Sequence, residues 1–266
     1  MTLRALVTGG AGFIGSHVVE RLIGRGVDVA VVDNLTAGNR AFIPEAVRLY
    51  VHDIADEAVE GVFRQEKPDV VVHLAARVDV GRSIADPVGD ARTNILGTVR
   101  LLDCCRKYGV RKIVYSSSCA VYGETDDACI PESAPIRPIS FYGVSKYVPE
   151  MYLALFHRQF GLNYTILRYA NVYGPRQGTS GEGGVVSLFI DAVRRRQPPV
   201  IYGDGEQTRD FVYVKDVAEA NLSALTRGSQ ETIQIGTGIA TSINRLWRLI
   251  ADAMKAASEP VYMPPR

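Results

Sequence analysis

Residues 3–33 constrain the fold more than any other stretch: a short apolar run, a glycine-rich bend, a helical pattern, and a second apolar run ending in an acid. Leu3, Ala5, Leu6, Val7 and Thr8 read as a buried parallel strand. Gly9, Gly10, Ala11, Gly12, Phe13, Ile14 and Gly15 follow, and 16–23 has helical periodicity until Gly24 and Gly26 stop it. Val29, Ala30, Val31 and Val32 make the next strand, which Asp33 closes.

In that order, the glycines at 9, 12 and 15 allow a tight turn, close backbone approach to a diphosphate, and close packing of helix on strand. Phe13 and Ile14 stand in the bend, and the N-terminus of the helix that follows supplies free N–H donors and the positive end of the helix dipole. Asp33 lies eighteen residues after Gly15, where a carboxylate can accept from an adenosine ribose diol, and Asn34 opens the adjoining polar loop, 34–40. The competing account is an αβ crossover with accidental glycines and an ordinary strand-end acid. A carboxylate at 33 also opposes a 2'-phosphate, with Arg40 the only nearby base to relieve it, so the expected cofactor is NAD rather than NADP.

A chain of 266 residues that is 47% hydrophobic can bury a full α/β core. Thirty basic and twenty-nine acidic side chains nearly cancel, and the run 194–196 reads as a polar helix end, so no nucleic-acid partner is expected. No uncharged apolar segment approaches twenty residues and no signal peptide precedes the first strand, so neither is a membrane. Cys104, Cys105, Cys119 and Cys129 show no CxxC spacing and His17, His52, His73 and His157 no ligand pattern. The expectation is a reduced, cytoplasmic protein without a metal.

Further along, 47–51 reads as a third strand; Asp53 and Ile54 beyond it could flank an adenine, or Asp53 could be a helix cap. A helix over 58–66 ends at Lys67 and Pro68, and 70–74 is a fourth strand; Leu74, Ala75 and Ala76 after it are small enough to let a cofactor pass or to fill a tight core. Residues 77–90 look like loop, 93–108 like one long helix, and 113–115 like a strand running into Ser116, Ser117 and Ser118. Residues 123–139 look like a surface loop, and a helix starting near Ser140 carries Tyr142 and Lys146 four apart, hence on one face, and continues past Pro149 with a bend. A strand at 163–168, a glycine-rich loop over 169–184, a helix over 185–196, short apolar runs at 200–202 and 211–214, a helix over 216–225, a strand at 232–235 and a last helix capped by Ser242 complete the chain.

Ser118, Tyr142 and Lys146 make a workable alcohol-oxidising group. Taking hydride from a carbinol requires its hydroxyl proton to leave at nearly the same time, so a base must sit at the oxygen. A tyrosine, with an unperturbed pKa near 10, becomes that base only beside positive charge, which Lys146 supplies; Ser118 can orient or relay the proton. The alternative is a packing tyrosine and a snorkelling lysine.

The segments TGGAGFIGSH at 8–17, DNL at 33–35, HLAA at 73–76, SSSCAVYG at 116–123, YGVSK at 142–146 and RYANVYGPRQ at 168–177 together resemble the extended short-chain dehydrogenase/reductase family, in particular its NAD-dependent epimerases and dehydratases of nucleotide sugars. The likeness is greatest to the UDP-hexose 4-epimerases. It implies NAD held tightly, oxidation of a sugar C4 hydroxyl to a ketone, and reduction on the other face. It places proton relay on Ser118, the base on Tyr142 and a cofactor-binding lysine at 146, with Ser116, Asn94 and Tyr169 near NAD. It puts Asn171, Gly184, Val185, Val186, Tyr202 and Arg209 around a UDP-sugar, Arg209 on the diphosphate with Asp210 in support. Dehydratases and decarboxylases of this kind carry carboxylates after the serine; here Cys119 and Ala120 stand there, which favours epimerisation. Such chains continue past a PVYMPPR-like segment, seen here at 260–266, with residues that close the sugar-nucleotide lobe; ending at Arg266 predicts an intact dinucleotide site and a less complete lobe.

The expected fold class is therefore α/β, a doubly wound parallel (Rossmann) sheet with a smaller, C-terminally incomplete substrate lobe. The sheet domain takes residues 1–166 and 211–239, the lobe 167–210 and 240–266. Apolar positions on the helices at 93–108 and 140–158 point to a homodimer. Two other accounts remain beside UDP-glucose/UDP-galactose epimerisation and its place in galactose metabolism: an epimerase of UDP-N-acetylhexosamines or UDP-uronates, and a noncatalytic NAD-binding protein.

Overall fold

The computed structural model describes residues 2–125, 129–179 and 184–265. In chain order the elements are β1 (Arg4–Thr8), α1 (Phe13–Ile23), β2 (Asp28–Val32), β3 (Arg48–Tyr50), α2 (Ala58–Glu66), β4 (Val70–His73), α3 (Val80–Ala85), α4 (Pro87–Ala91), α5 (Thr98–Lys107), β5 (Lys112–Ser118) and α6 (Phe141–Phe160). Then come β6 (Asn163–Tyr169), β7 (Asn171–Tyr173), α7 (Val185–Arg194), β8 (Val200–Tyr202), β9 (Thr208–Arg209), β10 (Phe211–Tyr213), α8 (Val214–Ala224), β11 (Glu231–Ile235), β12 (Thr241–Ser242), α9 (Ile243–Met254) and β13 (Val261–Met263).

Seven of these strands form one parallel sheet in the order β11-β6-β5-β4-β1-β2-β3. Both faces are buried, and the alternation of side chains divides the core in two. Ala5, Val7, Val29 and Val31 point to the face covered by α1 and α8; Leu6, Ala30, Val32 and Val71 point to the face covered by α2, α5 and α6. The chain leaves β1 in one direction to β2 and returns on its other side as β4, so the crevice between their carboxyl ends is the topological switch point.

A third, separate apolar cluster holds the C-terminal lobe: Val186 and Phe189 of α7, Ile201 of β8, and Ile243, Leu246, Trp247 and Ile250 of α9. Trp247 meets Phe189 edge-on at 5.8 Å between ring centres. Ser242 caps α9 by accepting from the Arg245 amide, as the sequence predicts.

Several elements differ from the sequence reading. Residues 77–90 are not loop: α3 and α4 occupy them, because Asp79 accepts from the Arg82 amide and Asp86 from that of Gly89, with Pro87 in the first turn. The helix expected over 93–108 begins with a π-helical segment, Arg92–Gly97, before α5. The serines lie within β5, which runs to Ser118 rather than stopping at residue 115, since their hydroxyls find partners inside the protein. Residues 171–173 leave the expected loop and pair with 211–213. α6 continues through Pro149 from Phe141 to Phe160. The expected loops at 123–139 and 169–184 fall partly outside the described residues. Among those described, no helix is long and apolar enough to cross a membrane.

Candidate active site

The carboxyl ends of β1, β2, β4 and β5 open into a cleft of about 990 Å³. The glycine turn forms its floor. Gly9 has a φ of 70°, and a Cβ there would lie 2.6 Å from the Ala75 amide nitrogen; one on Gly15 would lie 2.0 Å from the Gly9 carbonyl oxygen. Only glycine lets β1, α1 and the segment after β4 approach this closely. At Gly12, which faces the cleft, the nearest atom to such a Cβ is the Gly9 oxygen at 3.2 Å. α1 starts at Gly12 without a side-chain cap and with no acid in its first turn. Its first-turn amides therefore meet no side-chain cap and no acid from the helix itself, as suits a diphosphate seat.

Asp33 closes β2 and is buried, its carboxylate accepting from the Ala11 amide at 2.9 Å and the Leu35 amide at 2.8 Å. Burial raises its pKa, against which the two amides work. Asn34 donates to Asp53 at 2.9 Å and Asp53 accepts from the Ala55 amide, so Asp53 closes a local turn rather than capping α2, which starts at Ala58, and lines the cleft beside Ile54. Leu74, Ala75 and Ala76 line the next wall. These residues fit the adenosine and diphosphate of NAD: an uncapped helix end, a cradle that a Cβ would fill, and an acid at the ribose position.

Across the cleft stand Ser116, Ser117 and Ser118 of β5 and Tyr142 and Lys146 of α6. Ser140 accepts from the Gly143 amide and so starts α6 where Tyr142 falls in its first turn, with Lys146 one turn later. The Tyr142 amide donates to Ser83 Oγ at 3.2 Å, tying α6 to α3. Lys146 is buried, with Nζ 4.8 Å from the centre of the Tyr115 ring. Desolvation lowers its pKa to about 8, against the pull of Glu150 and Asp90. Ser118 Oγ accepts from the Ala120 amide at 3.1 Å. Tyr169 differs from Tyr142: burial pushes its phenol up to about 12, and it is engaged by Ser116 at 2.9 Å and by Asn221, so it is a fixed neutral post in the cleft wall.

Beneath this wall Glu150, one turn beyond Lys146, accepts from Ser117 Oγ at 2.6 Å and from Arg168 of β6 through two nitrogens, at 3.0 and 2.5 Å. Arg168 also donates to the Tyr122 hydroxyl at 2.7 Å. His73 of β4 is held neutral by burial, its pKa lowered to about 3, and sits between the Thr8 and Thr98 hydroxyls.

Most residues expected from the sequence come together here. Gly184, Val185, Val186, Asn171 and Tyr169 line the same cleft as the glycine turn and the Tyr142 face. Three do not. Asn94 is buried behind the wall, its amide taken up by the Arg77 backbone, Asp90 and Ser145, and thus holds α6 rather than facing the cleft. Arg209 is exposed on β9, donating to the Thr208 carbonyl, and Tyr202 of β8 also lies off the cleft wall; their strands pair with β12 and β13 on the lobe. Asp210, expected to support Arg209, accepts from the backbone amides of Thr237 and Gly238. Residues not expected at the site include Ser83, Glu150, Arg176 and Gln177. Ser83 carries no sequence signal, whereas Arg176 and Gln177 lie inside the RYANVYGPRQ segment.

Residues 5–236 match the NAD dependent epimerase/dehydratase family. The chain is 47% identical to a UDP-glucose 4-epimerase of Thermotoga maritima solved with UDP-glucose, at a TM-score of 0.97 over 99% of this chain and 86% of that one. It is 44% identical to the Thermus thermophilus UDP-glucose 4-epimerase in complex with NAD, at a TM-score of 0.95 over 99% of this chain and 87% of that one. The UDP-glucose 4-epimerase of Mycolicibacterium smegmatis is 40% identical over 99% of this chain and 87% of its own length.

Proposed function

The chain belongs to the NAD-dependent epimerase/dehydratase family, and from that premise we propose that it catalyses reversible, NAD-dependent C4 epimerisation of a UDP-hexose, interconverting UDP-glucose and UDP-galactose through a 4-keto sugar. The observation that carries this is the pairing of buried Tyr142 and Lys146, one helical turn apart, in the same cleft as the uncapped glycine turn and Asp33.

In this reading the glycine turn and α1 amides hold the diphosphate of NAD, Asp33 the adenosine ribose and Lys146 the nicotinamide ribose. What NAD supplies when bound is reversible acceptance of a hydride from the sugar C4. Tyr142 removes the C4 hydroxyl proton and returns it after the ketone has turned its other face; Lys146, desolvated yet charged below a pKa of about 8, favours the phenolate. Ser118 orients or relays that proton. Asn171 and the 184–186 segment line the nucleotide-sugar side of the cleft. With Cys119 and Ala120 after Ser118, no carboxylate stands there to move protons at C5 or C6. The Ser116, Asn94, Tyr202 and Arg209 assignments belong to the same proposal, with Asn94 acting through the helix it holds.

We assign residues 1–166 and 211–239 to the NAD-binding domain and 167–210 and 240–266 to the substrate lobe. The functional unit is a cytoplasmic homodimer serving galactose metabolism, and the exposed apolar stripe Phe141, Val144, Met151 and Leu155 on α6 supports the pairing.

The purified protein, incubated without added cofactor with UDP-glucose, UDP-galactose and their N-acetyl and uronate relatives, should interconvert the first pair, and Tyr142→Phe should lose that turnover while keeping NAD. Conversion of only the N-acetyl or uronate sugars would move the substrate assignment. NAD binding with no sugar converted would leave a binding protein.

A further inference from the structure

Among the described residues, the buried side-chain nitrogen and oxygen atoms without a hydrogen-bond partner are Arg176 Nη1 and Gln177 Oε1, consecutive residues of the loop after β7 that line the cleft. Arg176 is the more demanding case, because leaving a charged donor unpaired away from water costs more than leaving a neutral one. Its backbone holds a φ of 70°, in the left-handed region that non-glycine residues seldom adopt.

The side chain is 25% exposed and fixed on two sides. Nη2 donates to Glu20 of α1, and the guanidinium carbon lies 5.4 Å from the centre of the Phe42 ring, in the loop that follows β2. The preceding Pro175 carbonyl lies 3.0 Å from His17 Nε2, which anchors the loop across α1. Arg176 thus stands where the glycine-turn helix, the loop beyond Asp33 and the loop after β7 meet.

The other cleft cations are differently engaged. Arg77 pairs with Asp86 at 2.6 Å, Arg82 lies 3.8 Å from Asp79, and Lys146 is on α6 beside Tyr142, its Nζ over the Tyr115 ring. Among the described cations of the cleft, Arg176 alone has a buried nitrogen without a partner. Meanwhile α1 begins with no cap and no acid. An unpaired guanidinium N–H and an uncapped helix end on one cleft call for one anion, and arginine matches phosphate oxygens in planar geometry.

We propose that Arg176 is a cofactor-binding residue whose Nη1 donates to a diphosphate oxygen of bound NAD, adding a charge-assisted side-chain contact to the backbone amides of the glycine turn. This rests on the reading that the cleft holds NAD. Glu20 then serves only to aim the guanidinium.

The test compares NAD and ADP-ribose affinity, by calorimetric titration of protein freed of its cofactor, for wild type, Arg176→Gln, Arg176→Lys and Glu20→Gln, with thermal melting as a check on folding. Arg176→Gln should weaken both ligands about tenfold or more, the loss of one charge-assisted hydrogen bond, and Arg176→Lys should recover part of it. Glu20→Gln should stay within about twofold of wild type, because its contact is not to the ligand. Arg176→Gln binding as tightly as wild type would overturn the proposal alone. So would Glu20→Gln weakening binding as much as Arg176→Gln does, since Arg176 would then act as a strap between loops. A wild-type protein that binds neither ligand would overturn the cofactor reading and this proposal together.

Discussion

At Lys146 folding and chemistry pull in opposite directions. Burial brings its pKa from 10.5 down to about 8, so at pH 7 the folded protein holds a desolvated ammonium that the unfolded chain would hydrate freely. Between pH 8 and 10.5 the unfolded state binds the extra proton, so this residue's contribution to stability rises with pH across that window and is at its worst below 8. Lys146→Met should therefore be more stable than wild type at pH 7, by about 3 kcal/mol, with the gap closing towards pH 10.5, while epimerase turnover is lost. Urea denaturation of both proteins at pH 7 and pH 10 checks the first part, and a wild type that outlasts the variant at pH 7 would refute it. The pairing of Tyr142 with Lys146 could be read from their four-residue spacing; the depressed pKa could not, because it comes from burial of the ammonium by the folded chain.

Two elements set the geometry around these residues. The turn between β1 and α1 has no room at Gly15, where a methyl group would sit 2.0 Å from the Gly9 carbonyl oxygen. Gly15→Ala should thus displace α1, lower the melting temperature and abolish retention of NAD through purification, read from the absorbance of the released cofactor. On the other wall, the Glu150–Arg168 pair joins α6 to β6 and, through Ser117, to β5. Arg168→Met leaves a buried carboxylate unpaired and should cost about 3–5 kcal/mol in chemical denaturation. Adding Glu150→Gln should return much of that loss, and a double variant as unstable as the single one would show that packing, not charge, dominates. The glycine spacing announced the first element. Nothing announced the second, since Ser117, Glu150 and Arg168 sit on three separate elements and meet only when the strands lie side by side.

At the scale of the whole molecule, the helix that presents Tyr142 inward presents an apolar stripe outward. Phe141, Val144, Met151 and Leu155 recur at helical spacing on α6 and are all exposed. Burying such a stripe against its copy is favourable at roughly 25 cal/mol per Å² of apolar area. Leu155→Glu should accordingly convert the proposed dimer into a monomer in analytical ultracentrifugation, leaving NAD affinity within about twofold. A wild-type protein that sediments as a monomer would refute the pairing.

By itself the sequence determined the sheet class, the glycine turn with Asp33, and the Tyr142–Lys146 face, because each of these depends on residues within one or two turns or strands of one another. Local periodicity failed where elements were short and exposed, as in α3 and α4, whose signals were the Asp caps and Pro87. Tertiary structure alone decided which distant side chains share a wall. It set Asn94 behind the cleft and Arg209 off it, brought Ser83 to the start of α6, and left Arg176 with an unpaired nitrogen beside an uncapped helix. Those outcomes depend on strand order and on packing across the sheet, and neither is encoded in the spacing of any one segment.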